Sequence, residues 1–435
     1  MADNQHVKRA QKRSANLLTR GTENFLAAFT STGWTVRDNE ATPVSSQRPK
    51  APKSTISREQ LPKRYTIYEP MLLLPANFTS CSTAWEQLFD SLTPAQKQDL
   101  YSRIVAAFGV AGQNVTHVAI NAPIQISASS SSDDEQNVTR SPADLQPLFG
   151  NFGPGHLLAS SLQPTKEDFH QAFWVTTTQV GNVKQVWAPR WTMFSRGNIR
   201  EKARILQHKQ HNDAPFLVLT QDELGQPLSE VDVVDMYIGI GYFAIPYLQR
   251  GVRRVFGWDI NGWSIEGLRR GCEQNGFDSE VIDLEQYHDR PVSAVAESVA
   301  DLLRKRPTVR CVAFVGNNAT AASVLRALSY VLADSSHVPN IRHCNLGLLP
   351  TSFGSWRGAV ECLDHTHGGW LHVHENVEVD KVVAKVLYIE AELSSMAAQS
   401  QKGAWNAQVG YTEMVKTYAP GIGHFVFDVH LWPAR

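Results

Sequence analysis

Residues 233–246 read VVDMYIGIGYFAIP. An apolar run ends on an acid, Asp235, turns through Gly239 and Gly241, and re-enters an apolar pattern. Two glycines remove Cβ atoms where a strand passes into a helix, so a ligand can approach backbone N–H groups at the positive end of that helix. With Ala244 the stretch also fits GxGxxG/A, and Asp259 ends the next strand-like run, Arg254 to Asp259. A carboxylate there can accept both hydroxyls of an adenosine ribose. Taken alone, the pattern fits a dinucleotide site, an S-adenosylmethionine site or a structural turn.

Two features favour S-adenosylmethionine. Asp235 precedes the glycines as DxxxGxG; an acid there can bind a methionine ammonium but would repel a pyrophosphate. The second feature is VGNN, which ends a third strand-like run with Asn317 and Asn318, whose amides can hydrogen-bond an adenine edge.

Working outward, residues 231–237 read as a buried strand, 242–250 as a short helix closed by Gly251, and 254–259 as a second strand. Asn261 is placed to cap a helix whose Ile265, Leu268 and Cys272 share one face before Gly276 ends it. Strand-like runs recur at RCVAFVG, HCNLGLLP, GGWLHVHENV and HFVFDVHLW. The alternation predicts an α/β fold with a doubly wound, mostly parallel sheet. The charged segment from Asp278 to Arg310 reads as an inserted helix and loop.

Upstream, FWVTTTQVGNVKQVWAP reads as a hairpin turning at Gly181-Asn182, and YEPMLLLPANF as a strand and turn. AWEQLFDSLTPAQKQDLYSRIVAAF reads as helical, and SASSSSDDEQNVTRSP as a low-complexity loop. Order is expected from near Leu61. Residues 1–60 carry ten Lys or Arg against five acids and read as a basic, disordered tail and linker. The domain division expected is 1–60 tail, 61–210 an α+β domain that orients substrate, and 211–435 the catalytic domain.

The densest basic stretch is APRWTMFSRGNIREKARIL, with six Lys or Arg and one acid between Arg190 and Lys209. Asn198 followed by Glu201 suits a capping box, so a helix is expected there. Ser195 and Lys202 could then face one side and hold a carboxylate, or the stretch could be a solvated basic face.

A formal net charge of −1 means that any nucleic-acid surface is local. Five cysteines, odd in number and without a CxxC, argue against a disulfide framework and a zinc ribbon, and a reducing, cytosolic setting fits. There is no apolar signal region and no run of membrane-span length. His365, His367, His372 and His374 read as ordinary strand histidines, since an HxH pair needs further ligands that the pattern does not specify.

The chain resembles the tRNA wybutosine-synthesizing protein 2 family, relatives of the archaeal-type tRNA guanine-N1 methyltransferases. LPKRY, WAPRWTMFSRGNIREKAR, VVDMYIGIGYFAIPYL, NLGLLPTSFGSW, GGWLHVHENVE and KTYAPGIGHFVFDVH carry the resemblance, over roughly Leu61 to Arg435. It implies a class I methyltransferase-like, Rossmann-like fold that transfers the 3-amino-3-carboxypropyl group of S-adenosylmethionine to 4-demethylwyosine in phenylalanine tRNA, 3′ of the anticodon. It assigns donor contacts to Ser195, Lys202, Asp259 and the Asn317-Asn318 pair, beside Asp235, Gly239 and Gly241 of the turn. Asn345, in NLGLLP, matches the position that orients the target base in the guanine methyltransferases. Relatives often have Gly-Asp-Asn where this chain has Gly316-Asn317-Asn318. The anticodon arm is the implied partner, with phosphate contacts expected from the Arg190 to Lys209 stretch and from Arg250, Arg253 and Arg254. No metal and no protein partner is implied. Plain tRNA methylation, non-catalytic tRNA binding and a nicotinamide dehydrogenase remain alternatives.

Overall fold

An eight-stranded sheet carries the glycine turn. Its strands in chain order are β1 (Asp232–Asp235), β2 (Arg254–Asp259), β3 (Asp278–Asp283), β4 (Val309–Val315), β5 (Ile341–Leu346), β6 (Gly369–Glu378), β7 (Trp405–Ala419) and β8 (Ile422–Pro433). They lie in the order β3-β4-β2-β1-β5-β6-β8-β7. All neighbours run parallel except that β8 is antiparallel to both β6 and β7. With β3 set aside, the order counted along the chain is 3-2-1-4-5-7-6. This is the class I S-adenosylmethionine-dependent methyltransferase-like, Rossmann-like sheet expected from the sequence. The computed structural model describes residues 16–28, 34–37, 54–121, 145–154, 164–195, 197–207, 218–400 and 404–434. The low-complexity loop, residues 42–53 of the expected tail and linker, Arg196 and Lys209 lie outside them.

Alternation along each central strand sends successive side chains to opposite faces. Val234, Phe256, Val312 and Phe314 pack with helices Val292–Lys305, Ala321–Val331, Trp356–Cys362 and Val382–Ser400. Val233, Val255, Cys311 and Ala313 pack with Ala244–Arg250 and Gly262–Gln274. Burial on both faces is why these strands read as continuous apolar runs. The Asp278 to Arg310 segment is more than a helix and loop, because its first six residues form β3 and extend the sheet edge. Every residue of β3 is half-buried, as suits a polar edge strand.

The described residues divide into two compact units, one made of those up to residue 153 and the other of those from residue 154 on. The sheet-bearing unit therefore includes the described residues between 164 and 207, which the sequence reading placed in the preceding domain, 61–210. The reason is the hairpin Val175–Thr178 and Lys184–Trp187, which turns at Gly181 (φ +71°) and Asn182 (φ +61°). It lies against helix Gly262–Gln274. Gly267 comes so close that a Cβ would stand 2.6 Å from the Val186 carbonyl oxygen. Asn275 at the helix end donates to the Lys184 carbonyl at 2.7 Å and accepts its N–H at 3.0 Å.

The other unit has a four-stranded sheet, Thr66–Tyr68, Met71–Leu74, His117–Asn121 and Leu145–Phe149, with helices Thr83–Ser91 and Pro94–Val110. Residues 1–60 are not all tail. Helix Leu17–Ala28 buries Leu18 and Phe25 fully, in one cluster with Leu100, Ile104 and Phe108, and Trp34–Arg37 pairs parallel with Ser54–Ser57. Leu18, Thr22, Phe25 and Leu26 have helical apolar spacing that the surrounding basic residues obscure.

Candidate functional site

The turn after β1 has the conformation its glycines suggested. Gly239 and Gly241 sit at φ +52° and +81°, where a Cβ is strained. A Cβ on Gly239 would stand 3.5 Å from the Tyr242 ring and 3.9 Å from Asp259 Oδ2, between the groups that flank the turn. The Gly239 N–H donates to Asp259 Oδ2 at 3.0 Å, and the Asn261 N–H donates to Oδ1 at 2.8 Å. Asp259 thus ties the turn to the end of β2. Asn261 caps helix Gly262–Gln274 as expected, accepting the Trp263 N–H at 3.0 Å.

Asp235 is buried at the end of β1. Its Oδ1 accepts the Tyr237 N–H at 3.2 Å, while Oδ2 is buried without a hydrogen-bond partner. Burial, reinforced by the Asp259 charge, pushes its pKa up to about 7.

Lys202 is the opposite charge in the same state. It lies on helix Ile199–Ile205, is 1% exposed, and its Nζ donates to Gln185 Oε1 at 2.7 Å. Gln185 Nε2 in turn donates to the carbonyl of Gly241 at 3.4 Å, which connects the lysine to the turn. Nζ also lies 5.0 Å from the Tyr242 ring centroid and 5.5 Å from that of Phe194. Burial, with no carboxylate to offset it, lowers the lysine's pKa to about 7. Ser195 is held beside this group by its backbone: its N–H donates to the Tyr242 hydroxyl at 2.9 Å, which itself donates to the Met193 carbonyl at 2.9 Å. Gln185 and Tyr242 were not singled out from the sequence, and a lone Gln in a hairpin strand carries no local signal.

The helix begins at Ile199 as expected, but not through a capping box. Asn198 makes no side-chain cap, and Glu201 turns inward, accepting from Arg204 at 2.7 Å. Arg204, fully buried, also pairs with Asp428 of β8. From Asp428 a polar chain crosses the sheet: its Oδ1 meets His372 Nδ1 at 2.7 Å, and His372 Nε2 meets His343 Nδ1 at 2.9 Å. His374 Nδ1 pairs with His424 Nε2 at 3.0 Å. The described residues contain no group of three or more His, Cys, Asp or Glu able to hold a metal ion.

Asn317 and Asn318 follow β4. Asn317 Oδ1 accepts the Ala319 N–H at 2.8 Å, and Asn318 Nδ2 donates to the Met236 carbonyl at 2.7 Å, so Asn318 joins the end of β4 to the turn after β1. Asn345 lies inside β5, 2% exposed, and is paired in register with Asp235. The expected phosphate contacts need correction. Arg254 is 2% exposed and donates to the Val309 carbonyl, Arg253 pairs with Asp232, and Arg250 donates to the Leu219 carbonyl. These arginines brace the start of β2, the end of the strand opposite Asp259. Lys202 and Arg204 are likewise internal.

A buried acid and a buried lysine, neither neutralised, flank one glycine turn. That donor set fits a nucleoside with a zwitterionic amino-acid arm, the ammonium toward Asp235 and the carboxylate toward Lys202. Among curated proteins, the Schizosaccharomyces pombe tRNA wybutosine-synthesizing protein 2 is 32% identical over 86% of this chain and 75% of its own length. The chain belongs to the tRNA wybutosine-synthesizing protein 2 family. The Saccharomyces cerevisiae member of this family is 29% identical over 85% of the chain and 74% of its length. A Pyrococcus horikoshii TYW2 solved with MeSAdo is 14% identical, with a TM-score of 0.47 over 87% of this chain and 94% of that one. No family model matches the chain. No helix among the described residues is long and apolar enough to cross a membrane.

Proposed function

We propose that Lys202 and Asp235 hold S-adenosylmethionine by its amino-acid arm, so that the arm and not the methyl group meets the tRNA. As a member of its family, the chain is an S-adenosylmethionine-dependent transferase of wybutosine synthesis, which moves the 3-amino-3-carboxypropyl group onto 4-demethylwyosine of phenylalanine tRNA. The observation that carries the site reading is the pair of uncompensated charges at one turn: Asp235 Oδ2 without a partner, and Lys202 with only an amide.

When bound, the sulfonium activates the three carbons attached to it, and the group transferred is the one aimed in line at the nucleophile. Transfer of the arm joins the methionine Cγ to a ring carbon of the base and breaks the Cγ–S bond. The electron pair stays on sulfur as methylthioadenosine, and the ring carbon's proton passes to solvent. The protein's part is positioning. Asp259 fixes the turn and offers its carboxylate to the ribose, Asn317 and Asn318 border the adenine, and Ser195 and Lys202 take the arm's carboxylate. Asn345 is proposed to orient the base from beside Asp235. Fixing reactants in this way is worth up to roughly 7–11 kcal/mol. The anticodon arm of the tRNA is the proposed docking element, and the cytosol the proposed setting, consistent with five free cysteines, four of them buried.

Lys202→Ala tests the site. Both aminocarboxypropyl transfer and donor affinity are expected to fall at least about tenfold, the scale of one lost charged contact. Unchanged values would remove Lys202 from the site.

A further inference from the structure

Two cations on one short helix are treated oppositely. Arg204 faces two carboxylates, Glu201 and Asp428, and is neutralised. Lys202, two residues earlier and as deeply buried, faces Gln185 and the rings of Tyr242 and Phe194. Gln185 is fully buried. Its orientation is fixed by chemistry: an ammonium only donates and a carbonyl only accepts, so the amide oxygen must face Lys202 and the amide nitrogen Gly241.

We propose that Gln185 determines donor specificity as a positioning residue: a neutral acceptor, anchored to the glycine turn, that aims the Lys202 ammonium while leaving its charge for the carboxylate of the donor's arm. The proposal rests on the reading of Lys202 given above. The amide is the group that meets both needs. A glutamate of the same shape would pair with Lys202 and repel an incoming carboxylate. An apolar side chain would leave a buried ammonium with no acceptor and favour its neutral form. An ammonium has three N–H donors, so the bond to Gln185 leaves two for a ligand.

Methylthioadenosine separates the effects, because it shares the nucleoside and sulfur of the donor but lacks the amino-acid arm. The full chain is titrated by calorimetry with S-adenosylhomocysteine and with methylthioadenosine. Gln185→Glu is expected to weaken S-adenosylhomocysteine binding about tenfold or more and to leave methylthioadenosine binding within about twofold. Gln185→Met, matched in length and unable to pair as an ion, is expected to show the same selective loss and to shift the alkaline limb of S-adenosylhomocysteine binding to lower pH, because the ammonium without its acceptor loses its proton more readily. This second variant keeps the test intact if the glutamate prevents folding. Equal weakening of both ligands would show that Gln185 only shapes the turn, and would overturn the proposal. So would unchanged binding of both ligands while Lys202→Met loses S-adenosylhomocysteine selectively. If Lys202→Met also leaves both affinities unchanged, the reading of Lys202 itself fails.

Discussion

Asp259 accepts the backbone N–H of Gly239 at 3.0 Å, which makes the end of the second strand and the glycine turn one piece of structure. The carboxylate acts on nucleoside binding twice, by shaping the turn and by facing the ribose. Asp259→Ala is therefore expected to weaken S-adenosylhomocysteine and methylthioadenosine alike, by roughly tenfold to a hundredfold, the worth of hydrogen bonds to a charged group. Calorimetry with both ligands checks this. Loss confined to one ligand would contradict it.

The pH dependence follows from the two uncompensated charges. Burial first, and then the Asp259 charge, raises Asp235 to about 7, so below that pH it is neutral and cannot pair with an ammonium. Burial lowers Lys202 to about 7, so above that pH it is neutral and cannot pair with a carboxylate. Affinity for S-adenosylhomocysteine should peak near neutrality and fall on both sides. Asp235→Asn should flatten the acid limb and Lys202→Met the alkaline limb. Methylthioadenosine, which carries neither charge, should bind with a nearly level profile from pH 6 to 8.5.

The Arg204–Asp428 pair fastens the helix that carries Lys202 to β8. Both side chains are buried, and Arg204 is also held by Glu201, so removing the Asp428 charge leaves the guanidinium with one carboxylate in place of two. Asp428→Asn is expected to destabilise the chain by about 1.5–3 kcal/mol, the scale of a lost hydrogen bond to a charged group, read as a lower denaturant midpoint. Arg204→Met, which leaves both Glu201 and Asp428 buried without their cation, is expected to cost more than Asp428→Asn.

The elements read correctly from sequence are those whose cause is local. Gly239 and Gly241 follow a buried strand, Asn261 stands one residue before an amphipathic helix, and Gly181-Asn182 separates two β-branched runs, so each announces its own geometry. Gln185 was not legible, because its role exists only once partners 17 and 56 residues away are brought to it. The basic stretch from Arg190 to Lys209 misled for a related reason. Charge counts suggest solvent or phosphate, whereas Glu201 and Asp428 draw Arg204 inside and the hairpin covers Lys202. β3 escaped notice because DSEVID is polar enough to read as loop and becomes a strand only by pairing with β4.

The N-terminal helix shows the same limit, and it is testable. Phe25 is fully buried against the long helix of its unit. Phe25→Ala is expected to cost about 3–5 kcal/mol of stability in that unit. A dispensable tail would show no change in thermal unfolding.

The most direct test of the central claim is the fate of the donor's two candidate groups. The protein is incubated with phenylalanine tRNA that carries 4-demethylwyosine, using donor labelled either in the carboxyl carbon of its arm or in its methyl group. The account predicts that the arm label enters the tRNA and that methylthioadenosine forms in equal amount. Methyl label in the tRNA, with S-adenosylhomocysteine as the by-product, would contradict it.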